Sequence, residues 1–228
     1  GLQRDFLRIA HTIAARGHDV KVLTQQWQGE RPEGLEIILF PVTSRTNQGR
    51  NEAYYQSVKG YLSQHPVDRV VGFNKMPGLD VYYAADVCYA EKVAREKGFI
   101  YKLTPRYRHY AMFEKATFQQ GSHTKLLMLT NKQIADFKHH YQTEDQRFHI
   151  LPPGIYPDRK YSQQPDNGRQ IIREKHDIGP DEFLLLQVGS DFKRKGVPRT
   201  LQAVASLPES ISQRTQLLVV GQAKDDRY

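Results

Sequence analysis

Three consecutive cations, Lys193, Arg194 and Lys195, stand between a short apolar run and Gly196. The run Leu184-Leu185-Leu186-Gln187-Val188 ends in Gly189-Ser190. Beyond Gly196, the residues Leu201, Val204, Ala205, Leu207 and Ile211 fall roughly on one helical face, and a second apolar run occupies residues 217–221. Strand, helix, strand at this spacing reads as a βαβ unit with parallel strands. Ligands of such sheets bind beyond the carboxyl ends of the strands, where these cations are expected to lie in a loop. Positive side chains beside a glycine and a helix start suit a phosphate or diphosphate. The competing explanation is a solvated basic loop. The stretch contains neither G-x-x-x-x-G-K-[ST] nor G-x-G-x-x-G.

Two carboxylates are candidates for chemistry. Asp86 follows the extended run Val81-Tyr82-Tyr83-Ala84-Ala85, so it stands at a strand's carboxyl end, where it could accept a proton or a sugar hydroxyl. A capping aspartate explains it as simply. Asp5 lies in the first turn of the first helical pattern and could serve only to complement the helix dipole. If a turn preceding Gly1 binds an anion, Gly1 and Leu2 would offer it backbone N–H groups.

Residues 89–118 mix charge with aromaticity. Lys92, Arg95, Lys97, Lys102, Arg106, Arg108 and Lys115 outnumber Glu91, Glu96 and Glu114, and Phe99, Tyr101, Tyr107, Tyr110 and Phe113 are interleaved among them. A basic, aromatic, partly helical surface suits an anionic membrane interface. A solvated face over core tyrosines is the alternative. Single-stranded nucleic acid would also suit such a surface, but no RNP-type or zinc-finger pattern supports that partner. His139 and His140 are adjacent and cannot share one helix face. Neither H-E-x-x-H, C-x-x-C nor G-x-S-x-G occurs, so zinc-enzyme and serine-hydrolase chemistry are disfavoured.

The elements that must position these residues alternate along the chain. A helix is predicted over residues 2–16 and strands over 20–24 and 35–42. Asn51 is read as the cap of a helix running to His65, with Tyr54, Val58, Tyr61 and Leu62 inward. Strands follow at 68–73 and 81–85, joined by the loop Asn74-Lys75-Met76-Pro77-Gly78. Thr104-Pro105 starts a helix to about residue 120, with a cap and then a proline at the first position. A buried strand at 125–129 leads to Thr130, which with Gln133 resembles a capping box for a helix to Tyr141. A last strand at 149–151 precedes Pro152-Pro153-Gly154, the best domain boundary, and a helix is predicted from Gly168 to Lys175. This alternation means an α/β fold with parallel sheets.

The chain of 228 residues is long enough for one large or two modest domains, and 39% apolar and 11% aromatic content can build a core. The net charge of +8 favours a polyanionic partner. The single Cys88 excludes an internal disulfide framework and fits a reducing compartment. No apolar run approaches the ~20 residues that span a bilayer. The chain opens on a helix pattern without a preceding strand and stops soon after residue 221, so we read it as a fragment.

The stretches 1–6, 69–80, 85–92, 151–159 and 187–196 together resemble retaining glycosyltransferases of the GT-B fold, family 4, and within them the bacterial glucosyltransferases of the lipopolysaccharide core. The resemblance covers nearly the whole chain. It implies two Rossmann-like domains facing a cleft: residues 1–153 on the acceptor side, lacking the first strand, and 154–228 as the hinge and the truncated start of the nucleotide-sugar domain. It places Arg194 and Lys195 on the donor diphosphate, Arg159 at another donor contact, and Gly1 at the second glycine of a Gly-Gly turn approaching the donor, with Asp5 one helical turn on. Asp86 falls near the acceptor end of the sugar site, in a catalytic position. The implied donor is UDP-glucose and the implied acceptor an inner-core heptose, with no metal and no other cofactor expected. A lipid-linked acceptor implies peripheral attachment to the cytoplasmic face of the inner membrane, through Lys92, Arg95, Lys102, Arg106 and Arg108. The family's paired-glutamate motif is missing, so the fragment alone is expected to be inactive and its second sheet to expose apolar edges. Two other readings stay open: the same fold with another sugar donor, and a non-catalytic polyanion- or membrane-binding module.

Overall fold

The computed structural model describes residues 2–152, 154 and 167–221. The chain divides into two compact units, Gly1–Gly154 and Ile155–Tyr228.

In the first unit, α1 (Leu2–Ala14) leads to β1 (Val20–Thr24) and β2 (Leu35–Leu39), which pair in parallel with Val20 opposite Leu35. Ala10, Val22 and Leu35 form a small core there, flanked by Phe6 and Trp27. Helix α2 (Asn47–Gln64) is followed by β3 (Val71–Gly72), β4 (Val81–Ala84), α3 (Tyr89–Glu96), a 3-10 turn (Phe99–Leu103), α4 (Pro105–Phe118), β5 (Lys125–Met128), α5 (Asn131–Tyr141) and β6 (Phe148–Ile150). Strands β3, β4, β5 and β6 lie side by side in that order, all parallel. Parallel strands are covered by the helices that connect them and therefore read as continuous apolar runs. Tyr82, Ala84, Leu126 and Met128 accordingly form the main core with Val58 of α2, Phe113 and Phe118 of α4 and Phe137 of α5.

The second unit contains α6 (Gly168–Lys175), β7 (Phe183–Val188), α7 (Phe192–Lys195), α8 (Val197–Ala205), α9 (Glu209–Ser212) and β8 (Thr215–Val220). Strands β7 and β8 are parallel along their full length, Phe183 opposite Thr215 through Val188 opposite Val220. Leu185, Leu186 and Val188 of β7 are exposed.

The expected α/β fold with parallel sheets is what the chain adopts. Several local readings change. The cap of α2 is Thr46, whose Oγ1 accepts from the Gly49 amide, so Asn51 lies one turn inside the helix. The expected strand at 68–73 keeps ladder pairing only at Val71–Gly72, and just before it the Val70 N–H donates to the Asp80 side chain. Thr130 does stand at the start of α5 but makes no capping hydrogen bond, and the Gln133 amide oxygen is buried without a partner among the described residues. The cations after β7 do not occupy a loop: residues 192–195 form the helical turn α7. Asp191 makes this possible by adopting a left-handed backbone (φ 64°) and accepting from the Arg194 amide. Gly196, also left-handed (φ 80°), both ends α7 and precedes α8, a geometry that only glycine adopts without strain.

Candidate active site

Candidate side chains of the first unit gather around the carboxyl end of β4. Tyr82 and Tyr83 are adjacent on the strand and so point to opposite faces. The Tyr83 hydroxyl donates to Asp5 Oδ2 over 3.1 Å, joining the first turn of α1 to β4. Burial and then this hydrogen bond push the Tyr83 phenol up to about 12. On the other face, Tyr82 is fully buried and its hydroxyl has no hydrogen-bond partner among the described residues. Burial raises its pKa well above the phenol's ordinary value, with the charges of Asp86 and Glu114 adding to the effect. Asp86 itself is exposed, two residues beyond the strand.

Behind Asp86 lies a buried ion pair. Glu114, on the inward face of α4, is inaccessible to solvent. Its Oε2 accepts from the Tyr89 amide at 2.7 Å and its Oε1 from the Ala90 amide at 2.9 Å and the Tyr141 hydroxyl at 2.7 Å. Lys75, from the loop after β3, completes the pair with Glu114 and also donates to the Val87 carbonyl at 2.8 Å. Burial alone would push the Glu114 carboxyl up. The Lys75 charge and its hydrogen bond, with those from the Tyr89 amide and Tyr141, outweigh it and hold the carboxyl below its ordinary value. The same surroundings push Cys88 up to about 12, chiefly through burial, so its thiol is not a nucleophile at neutral pH.

The helical region from α3 to α4 divides into an inner and an outer face. Lys92, Arg95, Lys102, Arg106 and Arg108 are all exposed. The sequence reading counted Glu114 and Phe113 with this surface, but both are buried in the core. Phe99, which it did name, is 76% exposed, and what it missed are the apolar neighbours on the same 3-10 turn beside Lys102, Ile100 at 80% and Leu103 at 55%. Helical periodicity cannot reveal them, because a 3-10 turn of this length has no buried stripe to contrast with. Inside the face, Tyr89 stacks on Tyr107 and shares a hydroxyl contact of 3.1 Å with Tyr101, and Arg106 lies over Tyr110.

In the second unit, Arg194 and Lys195 are exposed on α7. Arg194 Nε meets Asp191 Oδ2 at 3.2 Å. Exposed pairs of this kind are worth about 0–1 kcal/mol, so an anion of higher charge could readily displace the aspartate. The Lys195 chain lies against Gly189 at the end of β7, so closely that a Cβ on Gly189 would press on it. Gly1 and Arg159 lie outside the described residues. Among the described residues there is no group of three or more His, Cys, Asp and Glu side chains that could hold a metal ion, and no helix is long and apolar enough to cross a membrane.

No protein-family model matches the chain. Over all 228 residues it is 66% identical to the lipopolysaccharide glucosyltransferase WaaG of Escherichia coli (strain K12), of which those residues make up 61%. It also matches the crystal structure of WaaG, a glycosyltransferase involved in lipopolysaccharide biosynthesis, with a TM-score of 0.90 and 67% identity, over 98% of this chain and 60% of that one. The chain thus spans about three fifths of the length of the relatives it matches. With two thirds of its residues identical and its backbone closely superimposable, the chain is a homologue of the lipopolysaccharide glucosyltransferase WaaG and shares the GT-B glycosyltransferase fold along its own length.

Proposed function

We propose that this chain is part of a retaining glucosyltransferase that moves glucose from UDP-glucose to an inner-core heptose of lipopolysaccharide. The observation that carries this reading is 66% identity, across every residue of the chain, to a lipopolysaccharide glucosyltransferase. The chemistry of the side chains supports it. As the bond between sugar and UDP breaks, negative charge builds on the leaving phosphate and positive charge on the sugar ring. Arg194 and Lys195 then stabilise the phosphate more in the transition state than in the ground state. Two such cations supply the charge for which other transferases use a divalent metal. Attack from the face that UDP leaves, with the leaving phosphate taking the acceptor proton, retains the configuration of the sugar. Asp86 orients the acceptor hydroxyl, and Asp5, Gly1 and Arg159 contribute further donor contacts.

The acceptor is lipid-linked, so the enzyme works at the cytoplasmic face of an anionic membrane. Lys92, Arg95, Lys102, Arg106 and Arg108 provide the electrostatic attraction, and the exposed Phe99, Ile100 and Leu103 provide apolar groups beside them that can enter the interface. The test of the function is transfer of radiolabel from a panel of UDP-sugars to truncated lipopolysaccharide, by protein that carries this sequence at the full length of its relatives. Transfer from UDP-glucose is the expected result. Transfer from UDP-galactose or UDP-N-acetylglucosamine instead would replace the donor. No transfer from any of them, with oligonucleotide binding that UDP-glucose does not affect, would favour a polyanion-binding module.

A further inference from the structure

We propose that Glu114 and Lys75 are positioning residues for Asp86, fixing from within the core the exposed loop on which that carboxylate stands. The proposal rests on the reading of Asp86 as the group that meets the acceptor. The loop runs from the end of β4 at Ala84 to the start of α3 at Tyr89, and both Asp86 and Val87 are exposed on it. A helix start leaves backbone N–H groups that need acceptors, and the residue at the cap position usually supplies one. Here that residue is Cys88, which makes no capping hydrogen bond. Glu114 takes over the role from a different helix, 26 residues further along the chain. Its two oxygens accept from the Tyr89 and Ala90 amides, the first two of α3, and a negative charge there complements the helix dipole. Lys75 holds the other side of the loop. Its ammonium group pairs with Glu114 and donates its next hydrogen bond to the carbonyl of Val87, the residue after Asp86. Lys75 is itself held against the Phe118 and Phe137 rings, 5.9 and 5.4 Å from their centroids. Anchors rooted in β3–β4, α4 and α5 thus converge on the backbone just past Asp86.

A buried ion pair is a poor way to stabilise a core, since apolar residues of similar volume often do as well or better. What this pair does that an apolar pair could not is bind backbone amides and a carbonyl at set points. A displacement of about 1 Å in a reacting group can cost on the order of 100-fold in rate. The test is steady-state transfer kinetics and thermal unfolding, on protein carrying this sequence at the full length of its relatives. Lys75→Met and Glu114→Gln are each expected to lower kcat roughly 10- to 100-fold while KM for the UDP-sugar stays within about 2-fold. The double variant Lys75→Met/Glu114→Gln removes both charges of the pair and leaves neither unpaired, so its melting temperature should recover towards the parent value, yet its kcat should stay as low as in the single variants. If either single variant fails to fold, the double variant carries the same comparison. Recovery of kcat together with stability in the double variant, alongside an impaired Asp86→Asn, would overturn the positioning role and leave Asp86 in place. An Asp86→Asn variant with undiminished kcat would overturn the reading of Asp86 and the proposal with it.

Discussion

The Tyr83 hydroxyl and the Asp5 carboxylate, 78 residues apart in sequence, are joined by a hydrogen bond of 3.1 Å. It pins the first turn of α1 to β4 and fixes the direction of the one acidic side chain in that turn. A hydrogen bond to a charged group contributes about 1.5–3 kcal/mol. Tyr83→Phe should therefore lower the urea midpoint without changing the slope of the transition. If Asp5 meets the donor, the same change raises KM for the UDP-sugar several-fold. An unchanged midpoint together with unchanged KM would show that the bond orients nothing of consequence.

The outer face of α3, the 3-10 turn and α4 should bind anionic vesicles. Each cation near such a surface contributes about 1 kcal/mol, so reversing Lys102, Arg106 and Arg108 to Glu should reduce partitioning at low salt by roughly 100-fold or more. Changing Phe99 and Ile100 to Ser should weaken binding at all salt concentrations, since apolar insertion is not screened. Sedimentation with phosphatidylglycerol vesicles measures both. Partitioning unchanged by the triple reversal at low ionic strength would remove this surface from the account.

Acid should weaken the C-terminal end of α4. Arg147 is buried and donates to the carbonyls of Thr117, Phe118, Gln119 and Thr124, and it pairs with Glu144 at 3.0 Å. A hydrogen bond from the Gly121 amide, and then Arg147, bring the Glu144 carboxyl down to about 2 from its ordinary 4.5. A carboxyl whose folded pKa lies below its unfolded one stabilises the fold above the unfolded value, and that stabilisation is lost as pH falls through the folded value. Glu144→Gln should therefore flatten the decline of stability between pH 4.5 and 2. Arg147→Met leaves several helix-end carbonyls without donors and should cost about 3 kcal/mol or more. Urea titrations across that pH range would expose an error in either expectation.

Most of the scaffold could be read from residue patterns. Runs such as Leu184-Leu185-Leu186 and Leu126-Leu127-Met128 announce parallel strands, the second buried at Leu126 and Met128 and the first exposed at Leu185 and Leu186, and Thr104-Pro105 announces the start of α4 as it stands. The failures share a cause. Thr46 in place of Asn51, the unused Thr130 cap and the α7 turn each depend on whether one side chain reaches one amide, and several residues nearby could have done so. The site was legible only in part. Asp86 and the cations are polar residues next to strand ends, and that placement made them candidates. Glu114 and Lys75 gave no such signal, because a glutamate in a basic helix and a lysine in a loop look solvated. Only the approach of α4 to the loops after β3 and β4, a tertiary event, makes them a buried pair.

The central claim is that Arg194 and Lys195 stabilise the departing diphosphate, and one comparison tests it most directly. Single-turnover transfer from UDP-glucose would be measured for protein carrying this sequence at the full length of its relatives, and for the same protein with Arg194→Ala and Lys195→Ala. Losing one such stabilising contact costs about 100- to 1,000-fold in kcat, so the account predicts a fall of at least about 100-fold in the double variant. Turnover at the parent rate with both side chains removed would contradict it.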